Sequence, residues 1–201
     1  MARPRKFDRE EAIDVVMNSF WRDGIKDCSV KALSEQLNIT RSSFYNTFGS
    51  QAALFREVLQ RYGSDPKQSG LYSIDRDESL KVGLSRYFED LCRARADDPE
   101  HRGCLVTNCL AELLPGETEM ATFVSEMAEG GLQMLAQRIE RAVEVGELPK
   151  QTEARALSLA VHSLLLGTNL LSKVEHDGDR LWDTCKSALE ALELYDPSTE
   201  S

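Results

Sequence analysis

The residues with the clearest recognition chemistry lie in one six-residue stretch, 41–46. Five of its side chains can form hydrogen bonds and none of them is acidic: Arg41, Ser42, Ser43, Tyr45 and Asn46. Hydroxyl, amide and guanidinium groups contact base edges and phosphate oxygens in protein–DNA complexes. This stretch therefore favours a nucleic-acid contact surface over the alternative, an ordinary solvated helix face.

The neighbouring residues predict two short helices on either side of a tight turn. The first helix has apolar residues at i, i+3 and i+7: Val30, Leu33 and Leu37. Asn38 interrupts this pattern and tolerates the left-handed backbone that a helix end needs. Thr40 is a suitable N-cap for the second helix, whose apolar positions Phe44 and Phe48 are four residues apart. Two short helices across such a turn form a helix-turn-helix, with the polar face of the second helix outward.

A longer run of sequence is similar to a known family. Residues 44–48 (FYNTF) and 50–55 (SQAALF) resemble the DNA-binding signature of TetR-type transcriptional repressors, and the similarity extends over about 7–62. This chain departs from the family pattern at two positions. Asn38 stands where the family usually has glycine, and Gln51 stands where it usually has a phosphate-contacting lysine.

The residues and the resemblance together predict a set of DNA contacts. We expect Lys31 and Thr40 to contact the DNA backbone, and the phosphate contact at Gln51 to be neutral or lost. We expect Arg41 to bind a guanine edge or a phosphate. The complete predicted set is Lys31, Thr40, Arg41, Ser42, Ser43, Tyr45, Asn46 and Gln51.

Length and composition are those of an ordinary soluble globular protein. The chain has 201 residues, of which 41% are hydrophobic and 29% charged. We expect no segment to approach the length of a membrane span, and the N-terminus has no apolar signal region, so we expect a cytoplasmic protein without membrane contact. The five cysteines show no CxxC pair and no zinc-ligand spacing. We therefore expect no disulfide scaffold, no metal and no cofactor.

The formal net charge of −10 is unusual for a DNA-binding protein, but it is unevenly distributed. Residues 1–62 contain ten Lys+Arg and eight Asp+Glu, whereas the rest of the chain contains 14 and 26. Exposed charges more than about 10 Å apart are largely screened at moderate salt, so a basic head can function beside an acidic body. Residues 1–6 (MARPRK) add three cations on a tail that would either follow the DNA or remain solvated.

Hydrophobic periodicity predicts an all-α protein of about nine helices, without a convincing strand. Residues 1–50 would form a three-helix helix-turn-helix DNA-binding domain, with Asp8 as its first N-cap. Residues 51–62 would form a connector helix capped by Ser50. Residues 63–201 would form a helical ligand-binding and dimerisation domain.

The second domain is predicted to contain five helices. Gly130-Gly131 would weaken the longest of them and favours a kink or a close approach there. The predicted helices span 77–97, 103–114, 117–145, 151–174 and 178–194.

The last two helices are predicted to form a homodimer interface. The helix at 151–174 is apolar over most of its circumference, and Ala160, Ser163 and Gly167 would allow a close approach. TetR-type proteins pair their last two long helices into a four-helix interface, so the resemblance implies the same for 151–174 and 178–194. The alternative is that 151–174 is the central core helix of a monomer.

The resemblance also implies an effector cavity enclosed by the helices of the second domain. Ligand pockets combine apolar walls with a few polar groups, although methionines and aromatic residues at helical spacing are more often core. A single histidine on an apolar helix is likewise more often a buried, hydrogen-bonded one. The candidate pocket residues are Phe88, Cys92, Cys104, Asn108, Met120, Phe123, Met127 and His162.

Cys104 raises a second hypothesis. The run 102–108 (RGCLVTN) resembles a variant in part of the family, in which a short helix starts with Gly-Cys-Leu. A thiol in the first turn of a helix beside Arg102 would favour its thiolate form, which suits a redox or electrophile sensor. The competing interpretation is a small apolar residue at a helix crossing.

Three classes of function follow from these observations. The favoured class is a repressor that binds a palindromic operator as a dimer and is released by a small, largely apolar effector. An enzyme is disfavoured because the sequence lacks a glycine-rich phosphate loop, a nucleophile elbow and an HExxH pair. A helical scaffold that binds proteins through its acidic surface is the third class.

Overall fold

The computed structural model describes residues 8–65, 68, 70–71, 74–75 and 77–199. Within these ranges the regular structure is helical and contains no strand, as predicted. It consists of a short 3-10 turn at Pro197–Thr199 and the helices α1 (Arg9–Asp23), α2 (Val30–Gln36), α3 (Arg41–Phe48), α4 (Gln51–Ser64), α5 (Leu80–Ala96), α6 (Leu105–Leu113), α7 (Glu119–Glu144), α8 (Ala154–Leu171) and α9 (Gly178–Ala191).

Helices α1–α3 form the head, α4 is the connector and α5–α9 form the body. Asp8, Thr40 and Ser50 each accept a hydrogen bond from an amide in the first turn of α1, α3 and α4, which confirms the three predicted N-caps. Asn38 has a φ of +54°, so the turn between α2 and α3 uses the left-handed conformation that was predicted for it. Local sequence signals therefore determine where the head helices begin and end.

Helix boundaries in the body differ from the prediction. Helix α6 begins at Leu105 rather than at Gly103, because Gly103 has a φ of +70° and cannot continue into a helix. A Cβ added at Gly103 would lie 2.7 Å from the carbonyl oxygen of Asn169, so the loop before α6 packs closely on α8. Helix α7 is continuous through Gly130-Gly131.

Two hydrophobic clusters hold the helices together. The first, which we call the junction cluster, combines buried residues of α1–α4 with Leu105 and Cys109 of α6 and Val124 of α7. The second, the body cluster, is formed by α5, α7, α8 and α9 and includes the fully buried Phe88 and Val161. The head therefore shares one continuous core with α6 and α7, although these helices follow it by more than 40 positions in the chain.

Helix α8 corrects the expectation that no segment approaches the length of a membrane span. Its 18 residues have a mean hydropathy of 1.2, which is long and apolar enough for a span by length and composition. Only 22% of this helix is buried within the described part of the chain. Large apolar side chains remain on its outer face: Leu159, Leu166, Leu170 and Leu171. Exposed apolar surface of this kind marks a contact face.

Glu147, just after α7, caps the start of α5. Its carboxylate accepts hydrogen bonds from the Ser79 hydroxyl at 2.7 Å and from the amides of Leu80 and Lys81 at 3.1 and 2.9 Å. Burial acts to raise the pKa of Glu147, but the three donors together outweigh it, and the pKa lies below its ordinary value of 4.5.

We expect Glu147→Gln to lower the free energy of unfolding by about 1 kcal/mol at neutral pH, because a neutral amide accepts more weakly and solvent screens this half-exposed site. Since the folded-state pKa is depressed, the carboxylate's contribution is present above about pH 4.5 and is lost as the pH falls through the folded-state value. Urea unfolding of both proteins at neutral and acidic pH measures this difference. A difference that does not shrink on acidification would contradict the charged cap.

Candidate functional site

The outer face of α3 is the surface that the sequence predicts to contact DNA. Its inner face is held by Phe44 and Phe48, which are buried and whose ring centroids lie 5.2 Å apart. Tyr45 is 51% exposed, and its ring packs edge-on against Phe44 at 5.8 Å. The other predicted contact residues on this helix are also exposed: Arg41, Ser42, Ser43 and Asn46. The aromatic pair thus fixes the direction in which these polar side chains project.

The start of α3 is fixed by two hydroxyl groups. Thr40 Oγ1 lies 3.0 Å from the Ser43 hydroxyl and accepts the Ser43 amide at 3.1 Å. No acidic residue occupies the first turn, and Arg41 forms no ion pair within the described ranges. An acid-free helix start with an unpaired guanidinium is electrostatically suited to phosphate.

The side chains of Lys31 and Gln51 differ in their solvent exposure and in their hydrogen bonding. Lys31 is exposed and makes only a long ion pair with Glu35 at 3.9 Å, which is weak in water. Gln51 is half-buried, and its Nε2 donates to the carbonyl of Cys28 at 2.9 Å. This bond engages the amide nitrogen of Gln51 within the head. The predicted tail 1–6 lies outside the described residues.

Glu112 on α6 links the body to the head. Its Oε2 accepts the amide of Ile25 at 2.9 Å and its Oε1 accepts the amide of Lys26 at 2.5 Å. Both amides follow Gly24, which ends α1 with a φ of +86° and whose added Cβ would lie 3.0 Å from Glu112 Oε2. A carboxylate on two backbone amides is a strong, directional contact, so α6 and the α1–α2 turn move together.

The eight predicted pocket residues are not gathered around one cavity. Phe88 and Cys92 belong to the body cluster. Asn108 donates to the carbonyl of Arg102 at 3.0 Å. His162 is half-buried on α8, and burial lowers its pKa. The remaining four pack against the junction cluster: Cys104, Met120, Phe123 and Met127. Most of these residues therefore pack in the hydrophobic clusters. Methionines and aromatic residues at helical spacing are more often core residues than pocket residues.

Two other cavities share Trp21 of α1 in their walls. The first, which we call the junction cavity, has a volume of about 720 Å³ and lies between α1, α6 and α8, with Asn108, Glu112 and Leu170 in its wall. The second, the arginine cavity, has a volume of about 620 Å³ and lies between α1, α5 and the loops around α5, with Trp21 and Arg95 in its wall. Both volumes are in the range of small-molecule pockets.

The cysteines are mostly buried thiols. Burial raises the pKa of Cys28 to about 11 and also raises the pKa of Cys109. Cys92 and Cys185 place their sulfurs 3.7 Å apart in the body cluster, and this contact together with burial raises the pKa of Cys92. The environments of Cys28, Cys92 and Cys109 favour the protonated, unreactive form, whereas the contact with Cys92 lowers the pKa of Cys185.

Cys104 lies at the N-cap of α6 and not in its first turn, where the sequence predicts it. The guanidinium of Arg102 is engaged by other groups. It binds the carboxylate of Asp98 at 2.9 Å and lies over the ring of Trp21 at 4.0 Å. The charge that was expected to favour the thiolate is therefore already neutralised by a carboxylate.

Sequence reasoning did not identify Glu112 or Arg95 as functional residues. Both interrupt an apolar helical stripe: Glu112 follows Leu105 and Cys109 on α6, and Arg95 follows Phe88 on α5. A charged residue at a buried helical position is a signal that was available in the sequence. Among the described residues, no group of three or more His, Cys, Asp or Glu could hold a metal ion.

Two family models match the chain. A model described as the tetracyclin repressor-like, C-terminal domain matches residues 83–188, which is more than half of the chain. A second model, described as bacterial regulatory proteins, tetR family, matches residues 12–58, which contain α2, α3 and most of α1 and α4.

Individual relatives agree with these matches. The uncharacterized HTH-type transcriptional regulator YezE of Bacillus subtilis (strain 168) is 24% identical over 194 residues, covering 96% of this chain and 100% of YezE. The HTH-type transcriptional repressor BdcR of Escherichia coli (strain K12) is 40% identical over 129 residues, covering 63% and 64%. A cysteine mutant of the TetR family transcriptional regulator CifR, complexed with 26bp double-strand operator DNA, matches with a TM-score of 0.78 and 29% identity, covering 94% and 99%.

Substitutions on the two faces of α3 should have different effects. We expect Tyr45→Phe to weaken DNA binding by about three- to tenfold without changing stability, because only an exposed hydroxyl is lost. We expect Phe44→Ala to lower the free energy of unfolding by about 3–5 kcal/mol, because it empties an aromatic core site. Fluorescence anisotropy with the DNA duplex that flanks this protein's own gene measures DNA binding, and urea unfolding measures stability. If neither substitution altered operator affinity, α3 would not be the recognition helix.

Proposed function

The chain belongs to the TetR family of transcriptional regulators, and from this premise we propose that it represses transcription as a homodimer that a small, largely apolar effector releases from a palindromic operator. The DNA-binding helix-turn-helix is residues 30–48 within the head. The dimer, the effector and a cytoplasmic location are the parts that we propose. The observation that carries the proposal is the attachment of the head to α6 through Glu112 and the junction cluster.

The outer face of α8 supports the proposed dimer. Leu159, Leu166 and Leu170 are 46%, 39% and 63% exposed on one helix. Gly167 lies among them with open space where its Cβ would be, so a second helix can approach the backbone closely. Helix α9 packs beside α8, and two copies of this pair would bury the apolar face in a four-helix interface. A twofold axis there would present two α3 helices to successive major grooves, about 34–36 Å apart.

The attachment of α6 to the head supports the release mechanism. A ligand that displaces α6 acts on Ile25 and Lys26 through the Glu112 carboxylate, and on α1 and α4 through the junction cluster. A small rotation of each head would change the spacing of the two α3 helices. The effector can shift this equilibrium only by its preference for the released state, typically about 1–3 kcal/mol, and operator DNA must weaken effector binding by the same factor.

The thiol-sensing alternative depends on Cys104, which is half-buried at the N-cap of α6. Since Arg102 binds Asp98, the non-covalent effector is the better supported mechanism. Release of DNA by thiol-modifying agents from the native protein, but not from Cys104→Ser, would favour the alternative.

We expect Leu170→Glu to convert the dimer into a monomer with its helical content intact, because Leu170 is exposed in the single chain and the glutamate would place a charge within the proposed interface. Val145→Glu is the matched control, since Val145 is 60% exposed at the end of α7. Sedimentation at micromolar concentration distinguishes the two variants. A monomeric native protein, or a dimeric Leu170→Glu variant, would contradict this interface.

We expect Glu112→Ala to weaken operator binding by about tenfold while leaving the dimer intact, because the head loses two charge-assisted hydrogen bonds that fix its orientation. Glu117→Ala, an exposed acidic residue in the next loop, controls for the change in charge. Anisotropy with the flanking duplex measures the affinity of each variant. Equal affinity for Glu112→Ala and the native protein would show that α6 does not set the position of the head.

A further inference from the structure

Arg95 is a buried cation without a carboxylate partner. Its side chain on α5 is only 3% exposed, and it forms no ion pair with any residue that the structure describes. Its Nε donates to Asn169 Oδ1 at 2.7 Å and its Nη1 donates to Gln68 Oε1 at 2.8 Å. Both acceptors are neutral amides, and they use two of the five N–H groups of the guanidinium.

The other arginines around the arginine cavity have acidic partners. Arg86 binds Glu78, Arg93 binds Glu89, and Arg102 binds Asp98. Arg95 is buried more deeply than these three, so its charge costs more to bury without a counter-ion. Arg95 faces the cavity with free N–H groups. An anionic ligand in the cavity would supply the missing counter-ion and accept hydrogen bonds from these groups.

The remaining wall of the cavity restricts the chemistry of that ligand. Trp21, whose buried indole Nε1 has no hydrogen-bond partner within the described chain, lies in the walls of both cavities. Ile74, Tyr87 and Leu91 contribute apolar surface. Four aspartates also line the cavity and repel anions, so a ligand with one carboxylate, neutralised by Arg95, is favoured over a ligand with two: Asp65, Asp90, Asp97 and Asp98.

We propose that the arginine cavity binds a small monocarboxylate, whose carboxylate pairs with the guanidinium of Arg95 and whose apolar part lies against Ile74, Tyr87 and Leu91. A planar carboxylate matches the guanidinium fork in two parallel hydrogen bonds. This inference rests on the proposed function, since it names the chemical class of the effector.

The contacts of Arg95 connect this site to the connector. Gln68 Oε1 accepts hydrogen bonds from both Arg95 and the hydroxyl of Tyr62 on α4, at 2.8 and 2.7 Å. The Tyr62 oxygen in turn accepts the amide of Leu105 at the start of α6, at 3.3 Å. A carboxylate bound to the free N–H groups would draw the guanidinium away from Gln68 and so weaken one bond of this chain, which joins α4, α5 and α6.

The experiment measures binding of paired acids and amides to the full-length protein without DNA. Acetate, hexanoate, octanoate and benzoate are each compared with the corresponding neutral amide, by calorimetry and by quenching of tryptophan fluorescence. We expect at least one acid to bind about tenfold or more tightly than its amide, because hydrogen bonds to a buried charge are among the strongest in proteins. Absence of acid preference in all four pairs would overturn the proposal, and this comparison needs no variant.

Two variants then assign the preference to Arg95. Arg95→Gln should abolish the preference for the acid, and Arg93→Gln, on the same helix but exposed and paired with Glu89, should retain it. Arg95→Lys keeps the positive charge but loses the pair of parallel N–H donors of the guanidinium, so it should retain part of the preference for the acid. An unchanged preference in a folded Arg95→Gln protein would overturn the assignment. Operator release by the bound acid is measured separately, so an acid that binds without releasing DNA would contradict the proposed function while supporting this site.

Discussion

The carboxylate of Glu112 on the amides of Ile25 and Lys26 is the contact on which the arrangement of head and body depends. Helix α1 ends at Gly24 in a left-handed conformation, and the turn after it leaves two amides that need an acceptor. An acceptor from α6 satisfies them across 87 and 86 positions of the chain. The junction cluster packs around the same place, so the orientation of the head is set by α6 as well as by the connector α4.

This attachment explains why the functional surfaces lie where they do. The outer face of α3 is free because Phe44 and Phe48 on its inner face complete the junction cluster. The apolar face of α8 is free because the body cluster uses only its other side, including Val161. The wall of the junction cavity contains α6 residues, including Glu112, so a ligand there contacts the helix that holds the head. The arginine cavity reaches only the loop before α6, through Arg102.

Local interactions could be predicted from the sequence, and interactions between distant residues could not. The caps Asp8, Thr40 and Ser50 and the left-handed Asn38 depend on three or four neighbouring residues, and all were predicted correctly. The start of α6 was placed too early because the close approach of Gly103 to Asn169 depends on tertiary packing. Six of the eight predicted pocket residues lie in or against the two hydrophobic clusters, which also depends on tertiary packing. The position of Arg95 on the apolar stripe of α5 was visible in the sequence, but its lack of an acidic partner among the described residues is seen only in the assembled structure.

Native-state hydrogen exchange tests most directly whether the head and α6 form one cooperative unit. We expect the amides of Ile25 and Lys26 to exchange with the same opening free energy as the amides of α6. We also expect Glu112→Ala to lower the protection of the head without lowering that of the body cluster. Amides of the head that open at a much lower free energy than α6 in the native protein would contradict it. That result would mean that the head moves independently and that α6 cannot transmit the binding of an effector.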